Sequence, residues 1–159
     1  MTEQQALAKL ASLCSGAEHC SHEMTEKMRQ WGIDDDAQAR IMDYLTREKY
    51  VDDSRFCRAF IREKMRFNKW GRRKIALALS QKRIDRDMAT AALDEVDNSD
   101  YAAILRPMLK QKERTVKANS EYEKNIKLIK FAMSRGFTFD VIRDCLTGDM
   151  DEVDDTTDF

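Results

Sequence analysis

Two groups of residues in this 159-residue chain are of the types that chemistry uses: Cys14, His19, Cys20 and His22 near the start, and a run of arginines and lysines between Ser54 and Arg86. The first group would suggest zinc, but adjacent His19 and Cys20 and the five residues between Cys14 and Cys20 match no familiar zinc spacing. Small thiols on a helix followed by a polar turn describe it better. Asp34, Asp35 and Asp36, or Asp52 and Asp53, could be imagined as a carboxylate metal site, yet both groups fall where helices begin and capping accounts for them. With only two histidines and five isolated glycines, no hydrolase triad, phosphate-cradling loop or zincin helix can be assembled. No catalytic residue, metal or cofactor is expected, and an enzyme is not.

The second group is of a different kind. Between residues 54 and 86 stand twelve Lys or Arg against Glu63 and Asp85, a local net charge of +10 in a chain whose total is −1. Residues 1–53 carry −5, residues 87–143 carry +1, and residues 144–159 carry −7. Segregation on this scale marks a surface for a polyanion or an acidic protein groove, which the whole-chain charge conceals.

At 100° per residue, Arg55, Arg58, Arg62, Arg66 and Lys69 share an arc of about 80°. Phe56, Cys57, Phe60, Ile61 and Phe67 fall on the opposite, packed side, with Lys64 among them, its stem over apolar surface and its ammonium in water. Solvated helix faces ordinarily mix signs, because like charges four apart repel. This face implies an anionic partner, and Arg72, Arg73 and Lys74 extend it through the following turn. Lys117, Lys124, Lys127 and Lys130 form a second, more dilute basic face that ordinary solvation explains equally well.

The elements that position these residues follow from a pattern written three times. Met28 to Asp34, Leu79 to Asp85 and Ala132 to Thr138 each end an amphipathic run at a Gly or a long basic residue. Each then places an apolar residue (Ile33, Ile84, Phe137), a capping residue (Asp34, Asp85, Thr138) and, two on, a carboxylate (Asp36, Asp87, Asp140). The pattern reads as helix, tight turn, helix, with core positions Ile33, Ala37, Ile41 and Leu45, then Ile84, Met88, Ala92 and Val96, then Phe137, Val141 and Cys145. A further helix precedes each pair: Gln5 to Leu13, Arg55 to Phe67, and a stretch from Tyr101 to near Lys117 that Pro107 kinks or starts. Ser120 with Glu123 forms a capping box for a helix whose expected inner face is Tyr122, Ile126, Ile129 and Met133. The expectation is an all-α chain of three tandem three-helix repeats in an elongated array: residues 1–53, 54–98 (basic) and 99–148, then an acidic, disordered tail over 149–159.

A charged fraction of 36% with a single proline fits a helical globular or repeat protein. No apolar run reaches the roughly 18 residues a membrane span requires, and Met1 to Leu13 has no signal-peptide character. Four scattered cysteines give no disulfide framework, so reduced thiols and a cytoplasmic location are expected.

Tyr50-Val51-Asp52-Asp53-Ser54-Arg55-Phe56, Gly71-Arg72-Arg73-Lys74-Ile75, Gln81-Lys82-Arg83-Ile84 and Ser134-Arg135-Gly136-Phe137-Thr138-Phe139 resemble the RecX family of recombinase regulators. The resemblance spans nearly the whole chain and is strongest in the middle unit. Arg83 departs from it, standing where glycine is common. It implies a curved, elongated molecule of three three-helix repeats that lodges in the groove of the RecA nucleoprotein filament; a monomer is expected. It further implies restraint of strand exchange, ATP turnover and co-protease activity, with weak binding to single- and double-stranded DNA.

On that footing Arg55, Arg58, Arg62, Arg66, Lys69, Arg72, Arg73 and Lys74 are the expected filament- or DNA-binding residues. The competing reading is a stand-alone helical DNA-binding protein, nonspecific or sequence-specific. A stripe of nearly pure Arg and Lys suits phosphates better than base edges.

Overall fold

The computed structural model describes residues 1–146, and within them the chain is helical without a strand. The helices are α1 (Glu3–Gly16), α2 (Ser21–Gln30), α3 (Asp35–Arg47), α4 (Asp53–Glu63), α5 (Arg72–Gln81), α6 (Arg86–Asp94), α7 (Asn98–Glu113), α8 (Glu121–Ser134) and α9 (Phe139–Cys145). A π-helical turn, Lys64–Asn68, directly continues α4. No helix among the described residues is long and apolar enough to cross a membrane. The acidic segment 149–159 lies outside them.

The threefold pattern is carried by backbone hydrogen bonds. At the ends of α2, α5 and α8 the same left-handed residue recurs: Gly32 at φ 73°, Arg83 at 54° and Gly136 at 93°. Each of these donates to the carbonyl three residues back, and the next residue (Ile33, Ile84, Phe137) donates to the carbonyl five back, at 3.0, 3.3 and 3.2 Å. This is a Schellman ending, which satisfies carbonyls the helix itself leaves orphaned. The caps that follow also match: Asp34 Oδ1 accepts from Ala37 N at 2.8 Å, Asp85 Oδ2 from Met88 N at 3.1 Å, and Thr138 Oγ1 from Val141 N at 3.4 Å. The α-helices of the described residues therefore fall into triplets α1–α3, α4–α6 and α7–α9.

Compact packing divides the chain differently. One unit comprises Met1–Phe60 with Ala78–Ala92, the other Ile61–Leu77 with the described residues from Leu93 onward, so the middle triplet contributes to both. In the first unit Ala6 and Leu10 of α1, Met24 and Met28 of α2, and Ala37, Ile41 and Leu45 of α3 form one apolar cluster with Ile33 and Val51. Thr2 and Gln5 close a capping box at the start of α1. In the second unit α7 packs chiefly on α9 and α8 and also touches the π-turn. Tyr101, Leu105, Leu109, Ile129, Phe137 and Ile142 are buried there. Pro107 stands inside α7, which starts at Asn98 and continues through it to Glu113.

Two faces differ from expectation. In α8 the buried positions are Asn125, Leu128, Ile129 and Ala132, while Tyr122 is 42% exposed, so the inward face is rotated toward the smaller residues. On the helix after Asp52, Phe67 was expected to pack, yet it is 72% exposed. The π-turn is the cause. By inserting a wider turn after Glu63 it slips the α-helical register, and a residue seven past Phe60 no longer lies on the face of Phe60.

Candidate interaction surface

The segment Tyr50 to Phe56 works as a clasp within the first unit. Val51 is buried; the Asp52 carboxylate accepts from Arg55 N at 3.0 Å and caps α4, while Asp53 Oδ1 accepts from Ser21 N at 2.7 Å, the first amide of α2. The two adjacent aspartates therefore serve two different helix N-termini. Arg55 is drawn into the same clasp. Its Nε donates to Glu18 Oε1 at 2.5 Å, and its Nη2 to the carbonyls of Lys49 and Tyr50 at 3.1 and 3.3 Å. Among the expected contact residues it is the one most occupied by its own chain.

On α4, Arg58 and Arg62 are exposed, and Cys57 and Ile61 are the buried side. In the second unit Arg62, Arg66, Lys69 and Arg73 are all exposed and make no ion pair with a described carboxylate. Arg66 lies over the ring of Phe67 at 5.4 Å. Lys64 and Lys74 place their ammonium groups 5.3 and 4.9 Å from the centre of Trp70, so both stems cover the indole. Arg72 is paired with Asp94 at 2.6 Å.

The turn that carries Trp70 to Lys74 is also tied down by backbone hydrogen bonds. Gly71 N donates to Arg135 O at 2.8 Å and Arg73 N to Gly136 O at 2.9 Å, which ties the start of α5 to the turn between α8 and α9. The approach is so close that a Cβ on Gly71 would strike the backbone of Gly136 and Phe137, and one on Gly136 would strike Lys74. Two of the sequence motifs that stand far apart in the chain are thus the two halves of one contact. Lys69, left-handed at φ 58°, ends the π-turn immediately before it, and Trp70 N reaches back to Lys64 O at 3.1 Å.

The second basic face is more compensated. Lys124 pairs with Glu113 at 2.7 Å and with Glu121 at 3.1 Å; Lys127 pairs with Glu123 at 3.5 Å and donates to Lys117 O. Lys117 and Lys130 are exposed, without an ion pair among the described residues. Near the N-terminus, Cys14 Sγ sits 3.7 Å from Met24 Sδ, Cys20 is buried with its thiol pushed up to about 11 chiefly by burial, and His19 meets Glu23 at 3.4 Å. Among the described residues no three His, Cys, Asp or Glu side chains converge as metal ligands.

Residues 52–93 match the family model for the second three-helix domain of RecX. A regulatory protein RecX from Prosthecochloris aestuarii is 30% identical over 143 residues, 90% of this chain and 92% of the relative. The chain belongs to the RecX family. Another regulatory protein RecX, from Chlorobium limicola, is 29% identical over 92% of this chain and 90% of the relative. Of the Clostridium relatives the chain spans little more than half the length. The crystal structure of RecX from Lactobacillus salivarius superposes with a TM-score of 0.84 at 20% identity, covering 90% of this chain and 93% of that one. The fold is thus all-α in tandem three-helix repeats, and the family is one of regulatory proteins.

Sequence reasoning found the basic residues but missed three features around them. Asp94 as the partner of Arg72 is a contact across 22 residues, for which the sequence offers no local signal. The π-turn leaves no periodic trace either. Phe67, with Val96 and Ile104 beside it, was consequently assigned to the wrong side of its helix.

Proposed function

We propose that the protein binds the RecA nucleoprotein filament and inhibits its recombinase, ATPase and co-protease activities, so modulating recombinational DNA repair in the cytoplasm. It acts as a monomer built on repeats 1–53, 54–98 and 99–148, touches single- and double-stranded DNA weakly, and performs no catalysis. The observation that carries the reading, beside family membership, is the set of exposed cations without internal carboxylate partners: Arg62, Arg66, Lys69 and Arg73. Arg58, exposed on α4, and Lys74, stacked on Trp70, add to the cationic surface; Arg55 and Arg72, engaged with Glu18 and Asp94, contribute field more than contact. Surface ion pairs of this kind are worth only about 0–1 kcal/mol, so both arginines remain able to exchange partners.

The test is a titration into RecA assembled on single-stranded DNA, following ATP hydrolysis and strand exchange together. Inhibition of both is expected well below one molecule per recombinase. A folded triple variant Arg58→Glu, Arg62→Glu, Arg66→Glu is expected to lose most of that inhibition. Undiminished inhibition by that variant would remove the basic surface from the mechanism.

A further inference from the structure

Beside the π-turn, in the second unit, lies a groove of about 640 Å³. Met65, Val96 and Ile104 supply an aliphatic lining, and Phe67, 72% exposed, adds an aromatic ring to it. Arg62, Arg66 and Lys69 stand among the same lining residues, and Glu63 and Asp100 add two carboxylates. Its volume falls within the roughly 300–1,000 Å³ of ordinary ligand pockets, ample for an anchoring side chain with its flanking residues.

The exposure of Phe67 has a local cause. In an unbroken α-helix it would share the face of Phe56 and Phe60; the π-turn and the left-handed Lys69 present it to solvent instead. Single π-turns inside helices recur at functional sites. What covers Phe67 must tolerate three unpaired cations, which selects for carboxylates, and must fill an apolar groove, which selects for an aliphatic or aromatic anchor. A nucleic-acid strand fits less well: Glu63 and Asp100 repel any anion, but a strand carries a phosphate at every nucleotide whereas a peptide can space its carboxylates away from them, and the Arg66 guanidinium already lies over the ring on which a base would stack.

We infer that this groove seats an acidic segment of the partner protein. One apolar side chain of that segment lodges against Phe67, Val96 and Ile104, and its flanking carboxylates meet Arg62, Arg66 and Lys69. The inference deepens the filament-binding reading and rests on it.

The experiment measures binding of the full chain to preassembled RecA filaments and, separately, to a bare single-stranded oligonucleotide. Phe67→Ala is expected to weaken filament binding by at least about tenfold while Phe67→Leu, which keeps an apolar anchor, stays within about threefold of the parent. Bare-oligonucleotide binding by Phe67→Ala is expected to stay within about twofold of the parent, with melting unchanged. Parental filament affinity in Phe67→Ala overturns the groove and leaves the filament reading standing. Equal losses on filament and bare strand overturn it in favour of a base-stacking platform. Altered self-association of Phe67→Ala in sedimentation assigns the groove to a second copy. Disappearance of the Phe67→Ala effect once residues 149–159 are deleted assigns it to this chain's own acidic end; either result also overturns it. If the parent chain binds no filament, the filament reading falls, and a fluorescent peptide with one leucine between pairs of aspartates decides the groove alone. Binding lost in both Phe67→Ala and Arg66→Glu sustains it, and no binding by the parent overturns it.

Discussion

Gly71 and Gly136 place the Trp70-to-Lys74 turn through close backbone approach. Because the atoms a Cβ would meet at Gly71 are backbone atoms, no side-chain rotation relieves the collision, and Gly71→Ala is expected to cost at least about 2 kcal/mol. Gly136→Ala adds a left-handed penalty at φ 93° to its collision with Lys74 and is expected to cost more. Thermal melting checks both, and at about 2–4 °C per kcal/mol for a chain of this size the losses are easily read. Melting by Gly71→Ala at the parent temperature would mean that the contact with the α8–α9 turn is not held as described. The buried thiols make a second expectation at this scale. Cys20 and Cys57 are both pushed up to about 11, largely by burial, so the folded state favours the neutral thiol. Their stabilising contribution is complete below the unfolded thiol's ordinary pKa and is lost as pH rises from there through about 11. Denaturant midpoints should therefore fall across that window, and alkylation of Cys20 and Cys57 at neutral pH should await unfolding.

Among the elements, the Schellman turns with their caps are where sequence and structure agree most closely, and Arg83 is the informative exception. It occupies the same left-handed position as Gly32 and Gly136, with the same two hydrogen bonds around it, although it carries a Cβ. Arg83→Gly should stabilise the chain by about 0.5–1 kcal/mol, since relief of the left-handed strain outweighs the extra freedom of glycine when unfolded. A rise of a few degrees in melting temperature checks it; a fall would show that the Arg83 side chain contributes contacts worth more than the strain. Caps and turns were legible because they are local: Asp34, Asp85 and Thr138 act on amides three residues away. The core faces of α3 and α4 were legible for the same reason, from spacing alone. What was not legible was either a break in the helical period or a contact with partners distant in sequence. The π-turn redirected Phe67, α8 turned Asn125 and Leu128 inward in place of Tyr122, and Asp94 engaged Arg72. Helical periodicity assumes one continuous period, and a single wider turn breaks that assumption for every residue after it.

For the whole molecule the decisive quantity is the arrangement of charge. A chain of net −1 would be steered weakly by its monopole, but a segment of +10 makes a local positive field that acts over about one Debye length, near 8 Å at physiological ionic strength. Binding to a nucleoprotein filament should therefore weaken sharply with salt. The steepness divides protein contacts from DNA contacts, because each phosphate neutralised contributes about −0.7 to −0.9 to the slope of log K against log salt. Lys69 and Arg73 are the residues to change for this purpose, being exposed and without ion pairs among the described residues. Lys69→Gln with Arg73→Gln should flatten the slope by up to about 1.4–1.8 if both meet phosphates, while affinity falls at every salt concentration. An affinity that falls with the slope unchanged would place both on carboxylates of the recombinase, where the same surface acts by charge pairing alone.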